Sequence, residues 1–256
     1  MKKATIILPF LAVAIISSSL FLIPAFAARE SVQVTRLGNL ATIDGKWTTA
    51  DEWSDAYRVS MHLVEGPNST AYMRLKHDQD TLYVLVDFLS DTTPAATQTG
   101  GDPPQDGLNV GIDKNVNDTK TNCCDTYISL YWKNGANSWN QELHPSNARA
   151  VGAMSYDTTN DPDSETPHAI YEVAISTEDF AKHSAIRLVA WDPSKGANLQ
   201  WPRYEGPPWN MAYFGDLIFS EIVVPEFPLT PTALLAAIVL ATVLITKRES
   251  RPKTNS

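Results

Sequence analysis

The chain has 256 residues, a formal net charge of −9 and two cysteines. Between its two apolar ends lie about 195 residues, room for one domain with a full core and too little for two. The acidic balance excludes a nucleic-acid partner, and the absence of Cys-x-x-Cys, Cys-x-x-Cys-His, Gly-x-Ser-x-Gly, His-Glu-x-x-His and P-loop patterns excludes zinc, covalent haem c and the common catalytic motifs.

Lys2 and Lys3 open the chain, an uncharged apolar run covers 4–16, and Ala25, Phe26 and Ala27 supply a small-x-small pattern. This predicts a secretory signal peptide over 1–27, with an uncleaved anchor helix as the alternative. Pro24 breaks the helix just before the small residues and favours cleavage.

The 28–222 segment reads as all-β. Short runs at 71–76, 81–88, 108–112, 126–132, 168–175 and 185–191 alternate apolar and polar residues or concentrate β-branched and aromatic ones. The first two form a hairpin across the turn-forming residues 77–80. Gly, Pro, Asn and Asp clusters separate the runs, so an antiparallel β-sandwich follows. Two segments, 48–54 and 177–182, carry brief helical signatures, the second with Thr177 as a cap followed by acids. Long polar stretches occupy 90–105 and 156–167, a length that implies function or mobility.

Cys123 and Cys124 are neighbours. In an oxidising exterior they form a vicinal disulfide, bond to other chains, or stay buried as thiols. Asp113, Asn115 and Asn117 have the first spacings of a calcium loop, but Asp118 stands where an EF-hand needs glycine and Cys124 where it needs a bidentate Glu. A looser calcium site or a solvated Asx turn remains. Asn68 and Asn117 head glycosylation sequons. Flat aromatic faces suited to sugar rings come from Trp139, Trp201, Tyr204 and Trp209, the last three in a proline-stiffened stretch; Trp132 and Trp191 lie on strand runs.

Residues 229–246 are uncharged and would span roughly 27 Å as a helix, enough for a hydrocarbon core. Lys247, Arg248, Arg251 and Lys253 follow, which puts 247–256 inside and the 28–222 domain outside. At 223–228, Pro225, Glu226 and Phe227 precede the apolar run. Tripeptide, helix and basic end in this order resemble the PEF-CTERM archaeal sorting signals, and the resemblance implies recognition and removal of the tail by an archaeosortase-like membrane transpeptidase. Pro228 stands where a related variant has glycine, and a plain single-pass anchor is the alternative.

Over about residues 40–220 the order of local patterns is itself informative. Ile43, Asp44 and Gly45 are followed by Glu52, Trp53 and Ala56. His77 and Asp78, then Leu82, Tyr83 and Val84, come next. Asp106 to Asp113 brackets one strand; Tyr171, Glu172 and Ile175, then Trp191, Trp201, Pro202, Phe214 and Gly215, complete the series. This series resembles the family 9 carbohydrate-binding modules and their DOMON-like relatives. The resemblance implies a jelly-roll-type β-sandwich and a non-catalytic ligand-binding role. Together with the two apolar ends this gives the expectation of a cell-surface binding module for glycan or another small extracellular ligand, with no cofactor. The alternatives are a structural surface-layer protein and, by the DOMON-like branch, a haem b electron-transfer protein whose axial ligands would come from Met61, His62, Met73, Lys76 or His77.

Overall fold

The computed structural model describes residues 29–94, 105–116, 124–132, 139–204 and 210–220. The expected segments 1–27, 223–228, 229–246 and 247–256, with Pro225, Glu226 and Phe227, lie outside them. So do Asn117, Cys123 and Trp209. No helix among the described residues is long and apolar enough to cross a membrane.

The described residues form thirteen strands: β1 (Ser31–Arg36), β2 (Val59–Ser60), β3 (His62–Glu65), β4 (Tyr72–His77), β5 (Thr81–Phe88), β6 (Gly107–Asp113), β7 (Thr126–Trp132), β8 (Trp139–His144), β9 (Ala150–Asp157), β10 (His168–Ser176), β11 (Ser184–Asp192), β12 (Ala197–Trp201) and β13 (Gly215–Phe219). One sheet runs β8-β7-β6-β11, and β11 then meets β13 with its first half and β12 with its second; β3 lies beyond β12. The other runs β4-β5-β10-β9, with β2 beside β4. Strand β1 joins them, pairing with β13 through its first residues and with β4 through its last. Both β1 pairings are parallel, where the sequence pattern suggests a wholly antiparallel sandwich.

The core lies between the sheets. Leu108, Val110, Ile112, Ile128, Leu130, Ile186 and Leu188 come from the first sheet; Leu75, Leu82, Val84, Val86, Tyr171 and Val173 come from the second. Each set alternates along its strand, as the two-residue period requires. The hairpin expected around 77–80 is present, β4 against β5 from Tyr72↔Asp87 to His77↔Leu82.

Strand β10 is buried along nearly its whole length, on both faces. Its outer face is covered by the loop before β2, whose Trp47 and Trp53 pack on Leu85 and Ile170. Glu172 ties this loop down: its carboxylate accepts from the Asp44 and Gly45 amides at 2.9 and 2.7 Å and from Trp53 Nε1 at 3.0 Å. Gly45 has φ +80°, and a Cβ there would lie 2.6 Å from the Met154 backbone, so this turn needs glycine.

The two expected helical segments are turns. At 48–54 the Glu52 carboxylate accepts from the Thr42 and Thr48 amides at 2.6 and 2.7 Å, and the backbone closes by i to i+3 bonds such as Glu52 to Thr49. Burying two indoles and anchoring a carboxylate overrides a weak helical preference. At 177–182 the Thr177 amide donates to the Asp80 carbonyl in the β4–β5 turn and the Ala181 amide to the Lys114 carbonyl just past β6, so the segment's amides are drawn to two different places. A single 3₁₀ turn, Met211–Tyr213, is the one helical element described.

Candidate functional site

Residues on the face of the first sheet that points away from the core form three rows. Register aligns Tyr131, Gly107, Trp191 and Asn198 in one row, Ser129, Asn109, Val189 and Gln200 in the next, and Tyr127, Gly111 and Arg187 in the third. Such a face on a solvated sheet ordinarily carries exposed polar residues. Here Trp191, Arg187, Gln200 and Ser129 are all buried.

Two glycines flatten this floor. Trp191 lies on Gly107, where a Cβ would meet the indole at 2.6 Å, and Phe214 lies over Gly111 at 3.1 Å. Arg187 Nη2 donates to Gln200 Oε1 at 2.7 Å. Its guanidinium stands 5.4 Å from the Tyr204 ring, and Tyr204 in turn stacks on Tyr213 at 4.1 Å and 20°. Burial draws the Arg187 pKa below its ordinary value, while Tyr204 opposes that shift. Gln200 Nε2 donates to the Tyr204 carbonyl. Tyr213 remains 48% exposed, so one aromatic face of the stack is open to an incoming group.

Three polar atoms of this face have no hydrogen-bond partner: Asn109 Oδ1, Trp191 Nε1 and Asn198 Oδ1. Buried polar groups are almost always partnered, and an unpaired one costs about 1–3 kcal/mol. Two acceptors and one donor in adjacent rows, beside a guanidinium and a tyrosine pair, match the needs of a polyhydroxylated ligand: hydroxyl groups for the polar atoms and C–H faces for the rings.

The sequence candidates distribute unevenly over this picture. Tyr204 belongs to the floor. Trp201 is buried at the end of β12 on the opposite, core-facing side, packed where a Gly215 Cβ would lie 2.4 Å from the indole. In the free chain its ring is a packing element. Trp139 opens β8, but its side chain lies outside the described residues, as does Trp209. Arg187, Gln200, Asn109 and Asn198 went unnoticed in the sequence, since single polar residues inside strand runs look like ordinary solvent-facing positions.

Asp113 Oδ1 accepts from the Asn115 and Val116 amides at 3.3 and 2.9 Å, an Asx turn at the end of β6. Val116 sits at φ 44° in that turn. Cys124 is disulfide-bonded, and it packs with Phe214 and Met211 beside the floor. Asn68 is exposed in the turn between β3 and β4. Among the residues weighed as haem ligands, Met73 is in the core, and Lys76 Nζ is held by the Asn39 and Glu52 carbonyls and by Asp55 at 3.1 Å. A cleft of about 500 Å³ lies away from the floor, lined by Arg36, His77, Lys182 and Phe219 among others.

Two carboxylate clusters could hold a cation: Asp87 and Asp161 with His168, and Asp91 with Asp106 and Asp192. In the first, Arg74 Nη1 lies 3.3 Å from Asp87 and 2.9 Å from Asp163, and Arg58 Nη1 lies 2.5 Å from Asp163. His168 Nε2 stands 3.3 Å from Asp161 and 3.8 Å from Asp87. Burial would lower the His168 pKa, but Asp87, the Thr166 carbonyl and Asp161 together raise it. The second cluster has no such set of cations among the described residues.

The sequence matches no protein-family model and no curated protein. Solved structures do match. A family 9 carbohydrate-binding module from Caldicellulosiruptor kristjanssonii in complex with cellotriose superposes with a TM-score of 0.55, covering 78% of this chain and all of that one at 17% identity. A module of the same family and organism in complex with glucose gives 0.54, covering 75% of this chain and all of that one at 16% identity. The fold is that of a family 9 carbohydrate-binding module. At these identities the likeness speaks for the family 9 fold alone, and the ligand reading rests on the floor described above.

Proposed function

We propose that the chain is a non-catalytic, exported binding module that takes a glycan on the outer face of its first sheet. The observation that carries this reading is the set of buried, unpartnered polar atoms, Asn109 Oδ1, Trp191 Nε1 and Asn198 Oδ1, next to Arg187, Gln200 and the Tyr204–Tyr213 stack. A ligand rich in hydroxyls would satisfy them without disturbing the sandwich. The solved structures of the same fold hold cellotriose and glucose, which supports a saccharide over other polyols.

Placement at the cell surface rests on the sequence: a signal peptide over 1–27, an apolar span over 229–246 and a basic end. We read the Pro225–Phe227 tripeptide as a sorting signal for an archaeosortase-like enzyme. Glu226→Ala should then leave a mature species that still carries residues 229–256, and an unchanged mature mass would favour the plain anchor.

The binding test uses the full chain against a panel of soluble oligosaccharides that includes cellotriose and glucose. Arg187→Met keeps the aliphatic stem and removes the guanidinium, so affinity for any hit should fall at least tenfold while the melting temperature changes little. A hit whose affinity survives Arg187→Met binds elsewhere, and the absence of any hit removes the glycan reading.

A further inference from the structure

The two tyrosines of the floor come from separate loops, Tyr204 from the stretch after β12 and Tyr213 from the 3₁₀ turn Met211–Tyr213. They stack at 4.1 Å and 20°. One aromatic contact returns less than the backbone entropy of ordering two loops costs. Strand β12 pairs with β11 and β3, and β13 with β11 and β1, so among the described residues no strand pairing joins the two loops to each other. Something else must hold the stack together.

Arg29 and Glu30, just before β1, reach both loops. The Arg29 guanidinium donates from Nε to the Phe214 carbonyl at 2.8 Å and from Nη2 to the Met211 carbonyl at 2.9 Å. These two carbonyls bracket the turn that carries Tyr213, and hydrogen bonds from a charged donor are the stronger kind. Asp216 Oδ1 lies 3.4 Å from the same Nε and steadies the guanidinium over the turn. Glu30 faces the other loop. Its Oε1 accepts from the Arg203 amide at 3.2 Å, one residue before Tyr204, and its Oε2 stands 3.2 Å from His62 Nε2 on β3. The Glu30 backbone is itself fixed, since its carbonyl accepts from the Asp216 amide at 2.8 Å as β1 joins β13.

We infer that Arg29 and Glu30 are positioning residues: they clamp the two loops and hold Tyr204 against Tyr213 before any ligand arrives. A stack fixed in advance spares an incoming ring the entropy of ordering both loops. What the stack serves rests on the glycan reading; the clamp itself does not. On the signal-peptide reading, a mature chain that starts near Ala28 carries the clamp at its N-terminus, and a cut after Glu30 removes it. The position of that cut then decides whether the floor is preorganised.

The test uses the full chain in detergent, as wild type, Arg29→Met and Glu30→Ala. Amide hydrogen exchange at 212–214 should quicken about tenfold in Arg29→Met, and that at 203–204 about tenfold in Glu30→Ala, while β5 and β10, which report global opening, exchange as in wild type. Tyr204, covered on one face by Tyr213, should be nitrated by tetranitromethane about threefold faster in both variants. An oligosaccharide that binds wild type should bind each variant about threefold more weakly. Wild-type exchange and nitration in both variants overturn the clamp. So does exchange that quickens equally in β5 and β10, which would make the two residues general stabilisers. If wild type binds no oligosaccharide, the glycan reading falls, and exchange and nitration still decide the clamp. If it binds one and both variants bind it equally well, the positioning role falls while the glycan reading stands.

Discussion

The two acidic clusters show how similar residue types end in different states. Around Asp87, Asp161 and Asp163 the fold brings Arg74, Arg58 and His168 within 2.5–3.8 Å, so three acids face three bases. Arg74 also lies 5.0 Å from the Trp47 ring, and Trp47 Nε1 donates to Asp87 at 3.3 Å. This cluster is an internal joint that fastens the 157–168 segment to β4 and β5. Around Asp91, Asp106 and Asp192, by contrast, the Tyr156 phenol donates to Asp106, and the Ser194 hydroxyl and the Lys195 amide donate to Asp192. The first cluster is fastened by charged partners, and the second is met by hydroxyl and amide donors.

The largest expected effect tests the joint. Arg74→Met leaves Asp87 and Asp163 buried without their shared guanidinium, and should destabilise the domain by about 3–5 kcal/mol, the usual range for breaking a buried pair. A thermal melt reads the loss, and a variant as stable as wild type would refute the joint.

A pH series sharpens the comparison through a third buried acid. Burial, the leading cause, pushes Glu172 from 4.5 up to about 8, against the opposing bonds from Asp44 and Gly45. The native state therefore holds a proton that the unfolded chain releases between about pH 4.5 and 8. The stability from this group is fully present below its unfolded pKa and is lost as pH rises through 8. His168, also raised, adds a loss in the same direction above its ordinary 6.5. The domain should melt higher at pH 5 than at pH 8. Glu172→Gln should flatten that slope, and a steeper slope in the variant would refute the assignment.

On the floor, Tyr213→Ala removes the exposed member of the stack. It should weaken binding of an oligosaccharide hit by about 0.5–1.5 kcal/mol, or roughly twofold to thirteenfold by titration calorimetry. Stability should be little affected. The smallest effect is a control: Arg149 and Glu178 pair at 2.6 Å but are both largely exposed, and Arg149→Ala should shift stability by less than about 0.5 kcal/mol.

Much of the scaffold is legible from residues alone. Thr81 to Phe88 and Thr126 to Trp132 are strands with the bounds their alternation predicts, because a period of two with branched and aromatic residues suits one geometry. Strands β1, β2, β3, β8, β9, β12 and β13 escape such reading. They are short, polar or at sheet margins, and pairing with neighbours makes them strands. Among site residues, Tyr204 was visible because a large aromatic stands out in a proline-rich stretch. Trp201 stood out equally, yet it faces the core.

What the sequence by itself determined is the β class, the hairpin at 77–80 and the expectation of an exported chain with an apolar end, since each depends on local pattern. Only the tertiary structure decided which sides of the sheet Trp191 and Trp201 take and which acids meet. Asp91, Asp106 and Asp192 are separated by 15 and 86 positions along the chain. No local pattern links them; sheet register and the packing of two layers do. The same holds for Asn109, Arg187 and Asn198, ordinary polar residues in three strands until pairing sets them side by side on one buried face.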